Sequence, residues 1–77
     1  MEDIQEIMAT LSSNIERKRK QNQFSIETLS QVSGVSVQTL LNIKNFHAKN
    51  VSFNPLVEIA NALECSVYDL LSKAYNH

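Results

Sequence analysis

Ile4, Ile7, Met8, Leu11 and Ile15 recur at spacings of three and four, the apolar stripe of an amphipathic helix. The stripe runs into the charged stretch Glu16–Lys20 and the helix is expected to end near Gln21 to Gln23, with acids at its start and bases at its end, as the helix dipole favours. Ser25 is a good N-cap for a second helix from Ile26 to about Ser33, with Leu29 and Val32 turned inward. Gly34 follows directly, where a left-handed residue closes a helix. Ser36 caps a third helix from Val37 to about Lys44, with Leu40 and Ile43 inward.

Residues 45–51 are polar and irregular and read as a loop, with Phe46 as its anchor in the core. Ser52 is placed to cap a fourth helix, and Pro55 falls in its first turn, where a missing N–H costs nothing. Leu56, Ile59, Ala60 and Leu63 make its apolar face. Ser66 caps a fifth helix carrying Val67, Leu70 and Leu71 inward, and Tyr75 falls at or past its end. No repeat, low-complexity tract or linker interrupts the series. The expected fold is all-α, a compact bundle of five short helices in one domain over residues 1–77.

Composition agrees with this pattern. Apolar residues make up 43% of the 77, ordinary for a globular chain, and one glycine and one proline disfavour a sheet rich in tight turns. Cys65 is the only cysteine, so it reads as a small buried hydrophobe, with neither an internal disulfide nor a thiolate metal cluster. His47 and His77 stand far apart without neighbouring ligands, so no metal is assigned and no cofactor is called for. No apolar run approaches a membrane span, and the opening Met-Glu-Asp is acidic where a signal peptide would be basic, which points to the cytoplasm. No clustered Ser/His/Asp, paired carboxylates or phosphate loop suggests an enzyme.

Charge is segregated along the chain. Six basic residues stand against one acid between Arg17 and Lys49, while the remainder carries seven acids and one base. Such a split can give one basic face, although the net charge is only −1.

The informative stretch is residues 25–44: helix, glycine turn, helix. Two helices joined so tightly cross steeply, and their close contact needs a small residue such as Ser30 on the first. Val35, Leu40 and Ile43 anchor the second helix, leaving Val37, Gln38, Leu41 and Asn42 to point outward. Gln and Asn can bond adenine bidentately, and an apolar side chain can meet a thymine methyl.

Leu29, Ser30, Gly34, Val35, Ser36, Leu40 and Ile43, followed by Ile59-Ala60-Asn61-Ala62-Leu63 and Ser66-Val67-Tyr68-Asp69-Leu70-Leu71, resemble the phage-repressor (Cro/cI, or XRE) type of helix-turn-helix protein over about residues 11–72. The resemblance implies a lambda-repressor-like DNA-binding fold whose second motif helix lies in the major groove of double-stranded DNA. It places Ser36, Val37, Gln38, Thr39 and Asn42 against the groove. It also implies phosphate contacts near the start of the motif's first helix and in the loop after the second, with Asn45 and Lys49 as candidates. Arg19, in the run Arg17–Lys20, is a further candidate for DNA contact.

The sequence departs from the family pattern at several points. Many members carry a phosphate-touching Gln where Ile26 stands, and a Glu near the Lys44 position paired with an Arg at the Arg19 position; Lys44 is therefore expected to repel Arg19. The usual glycine after the recognition helix is replaced around Asn45 and Phe46.

The expected function is a transcriptional regulator, a repressor binding a pseudo-palindromic site as a homodimer, because one short recognition helix reads too few base pairs for useful discrimination. Control would come from concentration, competition or a protein antagonist. The dimer seam is expected near Tyr68, Ala74 and Tyr75, with Ile4, Ile7 and Met8 as a competing surface. The alternative is a protein-interaction module on the same fold with little or no DNA binding.

Overall fold

The structure, a computed structural model, describes residues 3–45 and 52–73. Among them five helices follow one another: α1 (Ile4–Gln21), α2 (Ile26–Ser33), α3 (Val37–Lys44), α4 (Phe53–Ala62) and α5 (Val67–Leu71). The fold is all-α, as the apolar periodicity indicates. Phe46 and Lys49 lie outside the described residues, as do Ala74, Tyr75 and both histidines.

Each helix starts where its cap is. Asp3, Ser25, Ser36 and Ser66 each accept a backbone N–H three residues on, and Ser66 with Asp69 completes a reciprocal capping box. Ser52 occupies the N-cap of α4 without a side-chain bond, and Pro55 stands in that helix's first turn. Gly34 closes α2 with φ +77°, the left-handed conformation expected of it.

Two other helix ends take the same conformation without glycine. After α1, Gln23 has φ 59°, and the N–H groups of Gln23 and Phe24 reach back to the carbonyls of Lys20 and Arg19. After α4, Glu64 has φ 58°, with Glu64 and Cys65 bonded back to Asn61 and Ala60. Both are Schellman turns, and a side chain with a Cβ there costs about 1 kcal/mol or more relative to glycine.

The core is built by Met8, Leu11 and Ile15 of α1, Leu29 of α2, Val35 of the turn, Leu40 and Ile43 of α3, Leu56, Ile59 and Ala60 of α4, Leu63, and Leu70 of α5. Phe24, Ile26, Ala62, Cys65 and Val67 pack against it from the side. Cys65 is partly buried, and burial pushes its thiol up, so it serves as an apolar packing group.

Two expectations about which side chains turn inward are corrected. Val32 is 54% exposed, and Ser33 is buried in its place. Ser33 lies on the Leu29 side of the helix, and its Oγ accepts the Val35 N–H at 3.1 Å, a buried donor that the tight turn would otherwise leave unpaired. Leu71 is 41% exposed, because Val67 and Leu70 already define the inner face of a five-residue helix and Leu71 is rotated about 100° from Leu70. Of the competing dimer surface, Ile4 and Ile7 are exposed, but Met8 is buried in the core and drops out of it. At 18 residues α1 is about 27 Å long, and its first turns run past the groups that cover Met8 and Leu11.

Asn14 joins the two ends of the described chain. It is fully buried, and its Nδ2 donates to the carbonyls of Leu70 at 2.8 Å, Ser72 at 3.2 Å and Asp69 at 3.3 Å. Its Oδ1 accepts from the Arg17 guanidinium at 2.7 Å. The Asp69 and Leu70 carbonyls belong to the last turn of α5, where a helix has no internal donors left to offer, and Ser72 is its extended C-cap. Beyond it, Lys73 Nζ lies 3.3 Å from Glu6 Oε2.

Candidate nucleic-acid interface

α3 is fixed from behind and open in front. Leu40 and Ile43 are buried, and Ser12 Oγ of α1 donates to the Lys44 carbonyl at 3.2 Å, pinning the helix's final turn. Ser36 and Gln38 are exposed on the opposite side, and Val37, Thr39, Leu41 and Asn42 are half-buried. Asn45 caps the C-terminus of α3 and is exposed. Five of the eight expected DNA-contacting residues thus stand on or immediately before one short helix, and Asn45 follows it. Lys49 lies outside the described residues.

The polar groups on α3 are already organised. Ser36 Oγ accepts the Thr39 N–H at 3.1 Å and donates to Thr39 Oγ1 at 2.9 Å, so its hydroxyl is taken up in capping. The Thr39 hydroxyl accepts that bond and keeps its own proton for a partner in front of the helix. Gln38 Nε2 donates to Asn42 Oδ1 at 2.9 Å one turn on. The start of α2 repeats the first arrangement, with Ser25 Oγ bonded to Thr28 Oγ1 at 2.9 Å and accepting the Thr28 N–H at 3.0 Å.

Arg19 is turned inward. Its Nε and one terminal nitrogen form a fork with Glu16 at 3.0 and 2.9 Å, and its other terminal nitrogen donates to the Phe24 carbonyl. Its side chain is only 13% exposed. Arg17 likewise donates inward to Asn14. Both arginines of the basic run at the end of α1 thus serve internal bonds.

The expected Arg19–Lys44 repulsion is corrected by Glu16. Lys44 Nζ lies 3.7 Å from the same Glu16 Oε1 that Arg19 holds, so one carboxylate sits between two cations. Hydrogen bonding from Arg19 holds the Glu16 carboxyl below the ordinary carboxylate range against the opposing effect of burial, and raises Arg19 in turn. Ile26 stands behind this cluster, packed on the core instead of reaching for a phosphate. Glu16, Ser12, Ile15, Ile26, Leu29, Leu40, Ile43 and Lys44 line a small, partly open recess with room for about one water.

Sequence reasoning missed Glu16 and Asn14. A local signal for Glu16 existed, an acid three residues before Arg19 at the head of a basic run. Asn14 was marked by its place between Leu11 and Ile15, a polar residue on the apolar stripe.

Among the described residues no group of His, Cys, Asp and Glu is arranged to hold a metal ion, and no helix is long and apolar enough to cross a membrane. No curated protein and no solved structure matches the chain significantly. The family model for the Cro/C1-type HTH DNA-binding domain matches residues 14–73, from the buried asparagine of α1 to the residue that pairs with Glu6. With most of its length covered and the helix-turn-helix geometry in place, the chain belongs to the Cro/C1-type helix-turn-helix family of DNA-binding domains.

Proposed function

We propose that this chain is a sequence-specific transcriptional regulator, a repressor that binds a pseudo-palindromic operator as a homodimer in the cytoplasm, its residues 1–77 acting as one DNA-binding unit. The observation that carries the reading is α3, rigidly backed by Leu40, Ile43 and the Ser12–Lys44 bond, with Gln38 and its neighbours presented on the open side. In this reading α3 enters the major groove. Gln38 and Asn42 read base edges, Val37 meets a thymine methyl, and Thr39 offers its hydroxyl proton to DNA. Ser36 acts mainly through its cap, and Asn45 and Lys49 approach the backbone after α3. Arg19 braces the site from behind through Glu16 and Phe24, in place of a direct DNA contact.

Two copies are needed because one such helix spans only a few base pairs. The proposed seam uses exposed apolar groups at one end of the molecule. Tyr68 is 75% exposed on α5, next to half-exposed Leu71, and Lys73 just beyond bonds Glu6 between exposed Ile4 and Ile7. The expected C-terminal and N-terminal surfaces thus combine into one candidate seam, with Ala74 and Tyr75 as further contributors from outside the described residues. Occupation of the operator excludes other proteins, and a protein antagonist that covers α3 or the seam relieves it.

Titration of a duplex carrying a selected site, at several salt concentrations, tests this reading. A DNA reader that neutralises phosphates loses affinity steeply as salt rises. Affinity for DNA that is weak and flat with salt would favour the alternative, a module of the same fold that binds a protein.

A further inference from the structure

Gln38 and Asn42 stand one turn apart on α3, and the bond from Gln38 Nε2 to Asn42 Oδ1, 2.9 Å long, assigns their amides different tasks. A carboxamide has two N–H donors and one acceptor oxygen. The bond uses one N–H of Gln38 and turns the Asn42 oxygen toward Gln38. Gln38 keeps Oε1 and its second N–H, the acceptor and donor that adenine N6 and N7 require. Asn42 is left to lead with its Nδ2 protons. Those protons suit base-edge acceptors, guanine O6 and N7 or thymine O4, whereas an unconstrained asparagine pairs best with adenine. Four residues of helix rise about 6 Å, more than the 3.4 Å or so between stacked base pairs, so the two side chains meet different base pairs.

We propose that Gln38 and Asn42 form one coupled reading unit, in which Gln38 selects adenine and, by holding the Asn42 oxygen, makes Asn42 select guanine or thymine at a neighbouring pair. The inference rests on the reading that α3 meets base edges. It goes further in stating that the two positions are not read independently, and in naming the bases.

The test is selection from random duplex DNA with the full chain and three variants, followed by affinities for duplexes changed at one position at a time. Circular dichroism confirms that each variant is folded. The wild type should discriminate at each position by on the order of tenfold. Gln38→Ala should lose adenine at its own position and, by releasing the Asn42 oxygen, move the second position toward adenine. Asn42→Asp retains an acceptor for Gln38 but has no Nδ2 protons. It should keep adenine at the first position and move the second toward cytosine, whose N4 donates. Asn42→Ala should loosen both positions. If Gln38→Ala and Asn42→Ala each change only their own position, the residues read independently and the coupling is wrong while base reading stands. If no variant changes the preference at any position, α3 does not read bases through these residues and both ideas fail.

Discussion

Lys44 Nζ at the end of α3 lies 3.7 Å from Glu16 Oε1 on α1, and that carboxylate is the one Arg19 holds in its fork. α1 and α3 are thereby tied by a single acid facing two cations. A Glu on α3 paired with Arg19, as the sequence resemblance would have it, is replaced here by a Glu on α1 itself, and a cation on α3 becomes the complementary choice.

The sign of one substitution follows. Lys44→Glu would bring a second carboxylate against Glu16 and remove a favourable pair. Because Lys44 is 43% exposed, the loss should be modest, about 0.5–1 kcal/mol. Thermal melts of the two proteins should show the variant less stable; a variant more stable than wild type would mean that Arg19 is under-compensated and Glu16 does not hold Lys44.

Acid should act through the same group. The hydrogen bonds from Arg19 depress the Glu16 carboxyl in the folded state, so its contribution is fully present above the ordinary carboxylate range and fades as the pH falls through the depressed folded value. Glu16→Gln should cost on the order of 1 kcal/mol at neutral pH. The difference between the two proteins should shrink below about pH 5. Denaturant titrations at several pH values measure it, and a gap that stays constant into acid would show that the charge on Glu16 contributes nothing.

Asn14→Ala should be the most damaging of these changes. It strips the buried Leu70 carbonyl and the part-buried carbonyls of Asp69 and Ser72 of this donor and removes the Asn14 oxygen that Arg17 bonds. About 2–3 kcal/mol is expected from buried groups left unpaired. Hydrogen exchange should locate the loosening at α5. A variant with wild-type stability would mean that water satisfies those carbonyls and that Asn14 is not a clamp.

Dimerisation is read most simply at Tyr68. Sedimentation at micromolar concentration should find wild-type dimers and Tyr68→Asp monomers with unchanged helix content. A wild-type monomer, or a variant dimer of undiminished affinity, would move the seam elsewhere.

How much of this was legible in the sequence varies from element to element. α2 was marked at both ends and α3 at its start, because Ser25 and Ser36 are caps and Gly34 is the only glycine. The ends of α1 and α4 were less distinct, since Gln23 and Glu64 adopt the left-handed turn without the residue that usually signals it. Periodicity named the inward residues of α3 and α4 and misplaced one residue in each of α2 and α5. In α2 the need of the Val35 N–H for an acceptor put Ser33 inside and Val32 outside. The row Ser36 to Asn42 could be placed on one helix from sequence, but its internal hydrogen bonds depend on side-chain torsions that no spacing reveals. Glu16 stayed hidden because its second partner, Lys44, is far along the chain, and only the packing of α3 on α1 brings them together.

The most direct measurement of the central claim is enrichment of random duplex DNA by the wild-type protein at physiological salt, read by sequencing. The account predicts a single enriched motif whose two half-sites are related by a two-fold axis and spaced by about 10 base pairs or a multiple of it, one recognition helix to each. A recovered pool indistinguishable from the input would contradict it.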